Sequence, residues 1–225
     1  MSELIRSTKE GNILSISLNR PDKKNALTAA MYSELASIFR DQVEGTNAVI
    51  FTGGTDFTAG NDLEDFLNNP PTVADAPVFE FMRALSTCPV PVIAAVDGFA
   101  VGIGTTLLLH CDFVYATAKS LFVMPFINLA VVPEFASSLL LPRRVGHVKA
   151  AEMLLLGEKF DAQAALEYGI INQICEPENL IATAQATAEK LARKPRAALL
   201  HSKALMRRDD EPLRSRLDFF LVSFV

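Results

Sequence analysis

The chain has 225 residues, half of them hydrophobic and 21% charged, with a formal net charge of −5. That length can bury a substantial core in one large domain or two small ones, and the composition is that of a soluble globular protein. The negative balance argues against a broad nucleic-acid surface and leaves an anionic small molecule as a partner only where a few Lys and Arg cluster.

The first 55 residues read as strand, strand, helix, strand. LIRST and ILSISL alternate in the β manner on either side of a Gly11-Asn12 turn. Thr28 is placed to cap a helix whose apolar face holds Met31, Leu35, Ile38 and Phe39. AVIFTGG at 48–54 is a buried-type strand running into glycines, and Asp62 then caps a short helix, LEDFL. A Pro-rich loop at 70–77 precedes a helix through VFEFMRALS. VPVIAAVDG at 90–98 is a second buried strand ending in a glycine bend, with a helix starting near Gly104 and a strand, FVYAT, at 113–117. From about 134 onward helices dominate. Asp161 caps AQAALEYG, Gly169 stops it, and helices at 178–193 and 196–208 are separated by Lys194-Pro195. The expected class is α/β: a strand–helix core over 1–174 followed by a helical C-terminal region over 175–225.

Several classes of chemistry drop out. Cys88, Cys111 and Cys175 are odd in number and widely spaced, which fits a reducing compartment and no disulfide framework. His110, His147 and His201 form no HExxH pair and there is no CxxC, so no metal site is expected and each His reads as structural or exposed. MSELIRSTKEG lacks a signal-peptide core, no apolar run demands a membrane span, and the C-terminus carries no SKL-type address. A cytoplasmic location with no membrane partner is expected. The apolar tail FFLVSFV reads as a packed helix end or a subunit contact.

Glu134 is the only ionisable residue between Lys119 and Arg143. Burial there raises its pKa, as general acid–base chemistry near neutral pH needs. The plainer reading is a helix cap: Pro133-Glu134 precedes FASSLLL, and an acid in a first helical turn complements the dipole. Ser137 and Ser138 then fall in that first turn, and no GxSxG surrounds them.

Two loops share a design, FTGGTDFTAGNDL at 51–63 and DGFAVGIGTT at 97–106. Each follows a buried strand and turns into a helix, where free amides favour anions. Side by side, they can each aim one N–H at the same oxygen, as in an oxyanion hole. Ordinary tight strand-to-helix connections remain the plain alternative. The spacing is neither GxGxxG nor GxxxxGK[ST], so dinucleotide and P-loop readings fail.

Taken with LNRPDKKNAL at 18–27, VDGFAVGIGTTLLLHCDFVYA at 96–116, INLAVVPEFASS and the 147–174 segment, these loops resemble the crotonase (enoyl-CoA hydratase/isomerase) superfamily over nearly the whole chain. The resemblance implies a spiral of ββα turns, assembled as a homotrimer or dimer of trimers, that binds an acyl-CoA thioester. Coenzyme A is then part of the substrate, and no separate cofactor is expected. It places the oxyanion amides at Asn61 and Ile103, the latter where hydratases usually carry glycine.

The two hydratase glutamates map onto Thr106 and Phe126, neither of which can do their work, and Phe126 becomes part of an apolar wall. The GNDL, AVGI and PExxSS pattern is similar to the Δ3,Δ2-enoyl-CoA isomerase branch, the peroxisomal type and its bacterial relatives. In that branch the single base maps onto Glu134, and fatty-acid β-oxidation is the implied setting. Contacts to the CoA and substrate are implied around Lys23, Asn25, Ala26, Leu27, Ala59, Gly60, Asp62, Leu63 and Gly102, with Lys203 approaching from the late helix. Asp62 and Asp112 also read as a helix cap and a strand-entry group. The helical region is expected to be shortened relative to the family, which bears on the CoA lid and trimer contacts.

Overall fold

The computed structural model describes residues 3–207. Expectations for the FFLVSFV tail and for any CoA lid beyond residue 207 lie outside the described residues. The chain opens with the antiparallel hairpin β1 (Ile5–Glu10) and β2 (Ile13–Leu18), then α1 (Ala29–Ser37), β3 (Ala48–Thr52), α2 (Leu63–Asn68), α3 (Pro77–Ser86) and β4 (Val92–Val96). There follow β5 (Phe99–Val101), α4 (Ile103–Thr106), a 3-10 continuation over Leu107–His110, β6 (Phe113–Thr117) and β7 (Leu121–Val123). The remainder is α5 (Ser137–Val145), α6 (His147–Ala151), β8 (Phe160–Asp161), α7 (Ala162–Glu167), β9 (Gln173–Cys175), α8 (Leu180–Ala192) and α9 (Arg196–Met206).

Six strands form one sheet in the order β1-β2-β3-β4-β6-β9, parallel from β2 onward. Both faces are covered, which explains the continuous apolar runs of β3 and β4. Alternation along β3 sorts the side chains: Val49 and Phe51 enter the main core, while Ala48 and Ile50 pack under α8 with Ile93, Leu180 and Ala184. β9 straddles residue 174, and α8 beyond it seals the sheet, so this part of the C-terminal region is built into the core.

Local signals set the helix starts. Thr28 Oγ1 accepts from the Met31 amide at 3.3 Å, Asp62 from the Asp65 amide at 3.1 Å and Asp161 from the Ala164 amide at 2.9 Å. The second sheet, β5-β7-β8, has two three-residue strands and one of two, too short for a periodicity to announce them. It carries the second glycine bend, since β5 runs directly into Gly102 and α4. Cys88, Cys111 and Cys175 are buried free thiols. Among the described residues no helix is long and apolar enough to cross a membrane, and no His/Cys/Asp/Glu cluster is arranged for a metal.

Candidate active site

The two glycine bends are stitched together. Thr58 and Ala100 form a parallel bridge, with the Thr58 amide donating to Phe99 O at 2.9 Å and the Val101 amide to Thr58 O at 3.0 Å. Gly60 sits so close to its neighbour that a Cβ there would lie 2.6 Å from Val101 O and 3.9 Å from Gly102 N. Only glycine permits that approach. The residues that follow, Asn61 and Ile103, are the two expected amide donors, and neither N–H donates to another group among the described residues. Ile103 is the first residue of α4, where amides lack intrahelical partners. The left-handed bend falls on Gly102 (φ 56°), so position 103 needs no glycine and accepts isoleucine.

Glu134 lies elsewhere than in a first helical turn. Phe135 (φ 53°) and Ala136 (φ 55°) are both left-handed, and α5 begins only at Ser137. The capping expectation is therefore corrected: the Glu134 backbone carbonyl accepts from the Ser137 amide at 2.9 Å and the Ser137 hydroxyl at 2.6 Å, and its carboxylate caps nothing. Two consecutive non-glycine residues in this region cost roughly 1–2 kcal/mol each, and such strain persists only where the surroundings hold it. Ser137 is within the first turn, as expected.

The turn presents the Glu134 carboxylate to Thr106, whose Oγ1 donates to Oε1 at 3.3 Å. Thr106 is fully buried, and its position opposite Glu134 was not read from sequence beyond its inability to act as a base. Burial pushes Glu134 up to about 7, with the Thr106 hydrogen bond pulling the other way. Glu134 opens onto a groove of about 490 Å³ bounded by Phe79, Met82, His110, Val132 and Phe135. Asn61 lines a separate cavity of about 430 Å³ with Leu27, Tyr32, Phe66 and Val78.

Tyr32 lines the Asn61 cavity and lies near enough to Glu134 to feel its charge. Its hydroxyl donates to Asn61 Oδ1. Burial first, and then the charges of Glu134 and Asp65, hold its pKa well above the ordinary tyrosine value, so it stays a neutral donor. Sequence reasoning missed Tyr32. The available signal was a hydroxyl on the apolar face of α1, which needs a partner once buried.

The segments expected to meet coenzyme A are brought together. The Ala59 amide donates to Lys24 O, the Leu27 amide to Gly60 O and the Asp62 amide to Leu27 O, each at 2.8–2.9 Å. Much of this polarity is spent internally. The buried Asn25 side chain donates to Gly53 O and Asp56 O at 2.6 Å and accepts from the Arg20 amide at 2.7 Å. The Ala26 and Gly60 amides are likewise engaged, by Lys23 O and Thr58 Oγ1. Asp62 caps α2 and pairs with Arg20 at 2.6 Å, and those two contacts, the Asp65 amide first, lower its pKa. Lys23 and Leu63 are exposed beside this junction, and the Phe126 ring packs 4.0 Å from where a Gly102 Cβ would be.

Lys203 departs from expectation. It is 3% exposed and donates to Val90 O and to Asp112 Oδ2, both at 2.6 Å. Its ammonium is consumed in tying α9 to the sheet and is not presented to a ligand from this chain. Asp112 is structural as expected, also accepting from the Val92 amide at 2.7 Å.

Residues 8–218 match the enoyl-CoA hydratase/isomerase family model, and the chain belongs to that family, within the crotonase superfamily. Its mixed α/β architecture with C-terminal helices is the crotonase fold. Over 219 residues it is 36% identical to rat enoyl-CoA delta isomerase 2, covering 93% of this chain and 56% of that protein. It is 36% identical to the Escherichia coli 1,2-epoxyphenylacetyl-CoA isomerase over 97% of this chain and 87% of that one. A solved Magnetospirillum magneticum AMB-1 structure of the enoyl-CoA hydratase/carnithine racemase type is 47% identical with a TM-score of 0.95, covering 100% of this chain and 90% of that one. The chain thus spans little more than half of the rat relative.

Proposed function

We propose that the protein isomerises 3-enoyl-CoA to trans-2-enoyl-CoA, with Glu134 as the only acid–base group. The observation that carries this reading is the isolation of that carboxylate: desolvated, poised at about 7, and opposed by a threonine hydroxyl. A second carboxylate would suit water addition, but the corresponding positions hold Thr106 and Phe126.

In the proposed cycle, ionised Glu134 removes a proton from the carbon next to the thioester carbonyl. The electron pair moves into the carbonyl, and the resulting dienolate oxygen is met by the Asn61 and Ile103 amides. Protonated Glu134 then delivers the proton to the γ carbon, and the double bond ends between the α and β carbons. No water enters and the carboxylate is regenerated. A pKa near the working pH lets one group do both steps. Lys23 is an exposed cation at the CoA-side junction in this reading, with Lys24 exposed beside it. The implied assembly, a homotrimer or a dimer of trimers, belongs to it too: the exposed side chains of Ile127, Leu129, Val131 and Leu155 offer apolar surface for a subunit to cover.

Glu134→Gln tests the proposal. With 3-hexenoyl-CoA it is expected to lower kcat by at least about 10³-fold, the scale of a lost acid–base group, while hexanoyl-CoA binding stays within about threefold. Undiminished isomerisation would sink the assignment. Robust hydration of crotonyl-CoA by the wild type would favour a hydratase, and binding without any turnover would favour a non-catalytic acyl-CoA-binding protein.

A further inference from the structure

The strained turn after Glu134 is held from one side by a group the proposed chemistry does not use. His110 Nε2 lies 2.8 Å from Phe135 O, and the imidazole stacks on the Phe135 ring with centroids 3.9 Å apart and planes 23° apart. A carbonyl oxygen can only accept, so Nε2 carries the proton and donates. The hydrogen bond and the stack both converge on Phe135, the residue immediately after Glu134 and the first of the two left-handed residues. His110 itself is fixed: its carbonyl accepts from Arg207 at 2.8 Å, and it ends the helical segment that begins at Ile103.

That segment therefore carries three points of the site in eight residues. Ile103 offers a free amide, Thr106 holds the Glu134 carboxylate, and His110 holds the backbone behind it. Burial, with Arg207 and Arg144 nearby, pulls the His110 pKa down to about 4, so the imidazole remains neutral and keeps one geometry across the working range.

We propose that His110 is a positioning residue: its hydrogen bond and stack on Phe135 lock the left-handed Phe135–Ala136 turn and so set where the Glu134 carboxylate stands relative to the Ile103 amide. As a statement about catalysis, this rests on the isomerase reading above.

His110→Phe keeps an aromatic ring for the stack and removes the donor, whereas His110→Gln keeps a donor at similar reach without the ring. Amide hydrogen exchange over residues 134–138 reads the turn directly, through the Ser137 amide that donates to Glu134 O. Exchange there is expected to rise about tenfold or more in His110→Phe, with Val92–Val96 unchanged. With 3-hexenoyl-CoA, kcat is expected to fall about 10–100-fold, as for a carboxylate displaced by about 1 Å, while hexanoyl-CoA affinity stays within about twofold and His110→Gln recovers most of the rate. Unchanged exchange in His110→Phe overturns the strut. Faster exchange with wild-type kcat, or an equal loss of kcat and of folded protein, overturns the positioning role. If the wild type does not isomerise 3-hexenoyl-CoA, the isomerase reading fails, and the exchange measurement still decides the strut.

Discussion

Lys203 delivers its ammonium to Asp112 and the Val90 carbonyl, each at 2.6 Å, whereas among the described residues the Glu134 carboxylate meets only the Thr106 hydroxyl, at 3.3 Å. Burial pulls each toward its neutral form: Lys203 is lowered, with Asp112 opposing, and Glu134 rises to about 7. The difference lies in the compensation. Lys203 joins α9 to the strand entries of β4 and β6, so its charge is matched by an acid and a carbonyl and has no freedom to titrate usefully. Glu134 has no cationic partner among the described residues, and its groove opens to where a substrate can enter. A buried charge that is fully matched marks architecture, and one left half matched marks chemistry.

The contrast breaks most visibly on the matched side. Asp112→Asn leaves the Lys203 ammonium buried without its counter-charge, and a loss of about 3 kcal/mol or more in unfolding free energy is expected from urea denaturation. A neutral result would mean that Lys203 is not committed to the core.

On the other side, Glu134→Gln is expected to stabilise the fold. The folded pKa of about 7 exceeds the ordinary 4.5. Between those values the folded state holds a proton that the unfolded chain releases, so stability falls as pH rises through that window. The glutamine variant escapes this penalty. It should gain about 3 kcal/mol over the wild type at pH 8 and almost nothing near pH 4. Equal stabilities at both pH values would mean that Glu134 is well solvated.

Thr106→Val is the finest probe. The hydroxyl favours the ionised form, so its loss raises the Glu134 pKa further and leaves less base at pH 7. Activity there is expected to drop about tenfold, with much of it regained at higher pH. A uniform loss at every pH would assign Thr106 to packing alone.

The order of elements was legible because its signals are local: the caps Thr28, Asp62 and Asp161, the apolar face of α1 and the continuous runs of β3 and β4. Glu134 stood out for a similar reason, as a charge alone in an apolar stretch. Its actual placement was hidden. Nothing in the residues Phe135 and Ala136 announces a left-handed turn, a conformation usually taken by glycine or asparagine, so the helix was read as starting three residues early. The partners of Lys203 and Tyr32 were hidden too, because Asp112 and Val90 lie 91 and 113 residues from Lys203, Asn61 lies 29 from Tyr32, and all are set by packing. The second sheet escaped because strands of two or three residues carry no period.

The pH dependence of kcat/KM tests most directly whether burial has made Glu134 the base. It is best measured with the 3-hexenoyl thioester of pantetheine, which lacks the titrating phosphate of coenzyme A. An ionised base predicts a rate that is flat above an apparent pKa near 7 and falls about tenfold per pH unit below it. A profile flat from pH 5.5 to 8, or one that breaks near 4.5, would contradict the account.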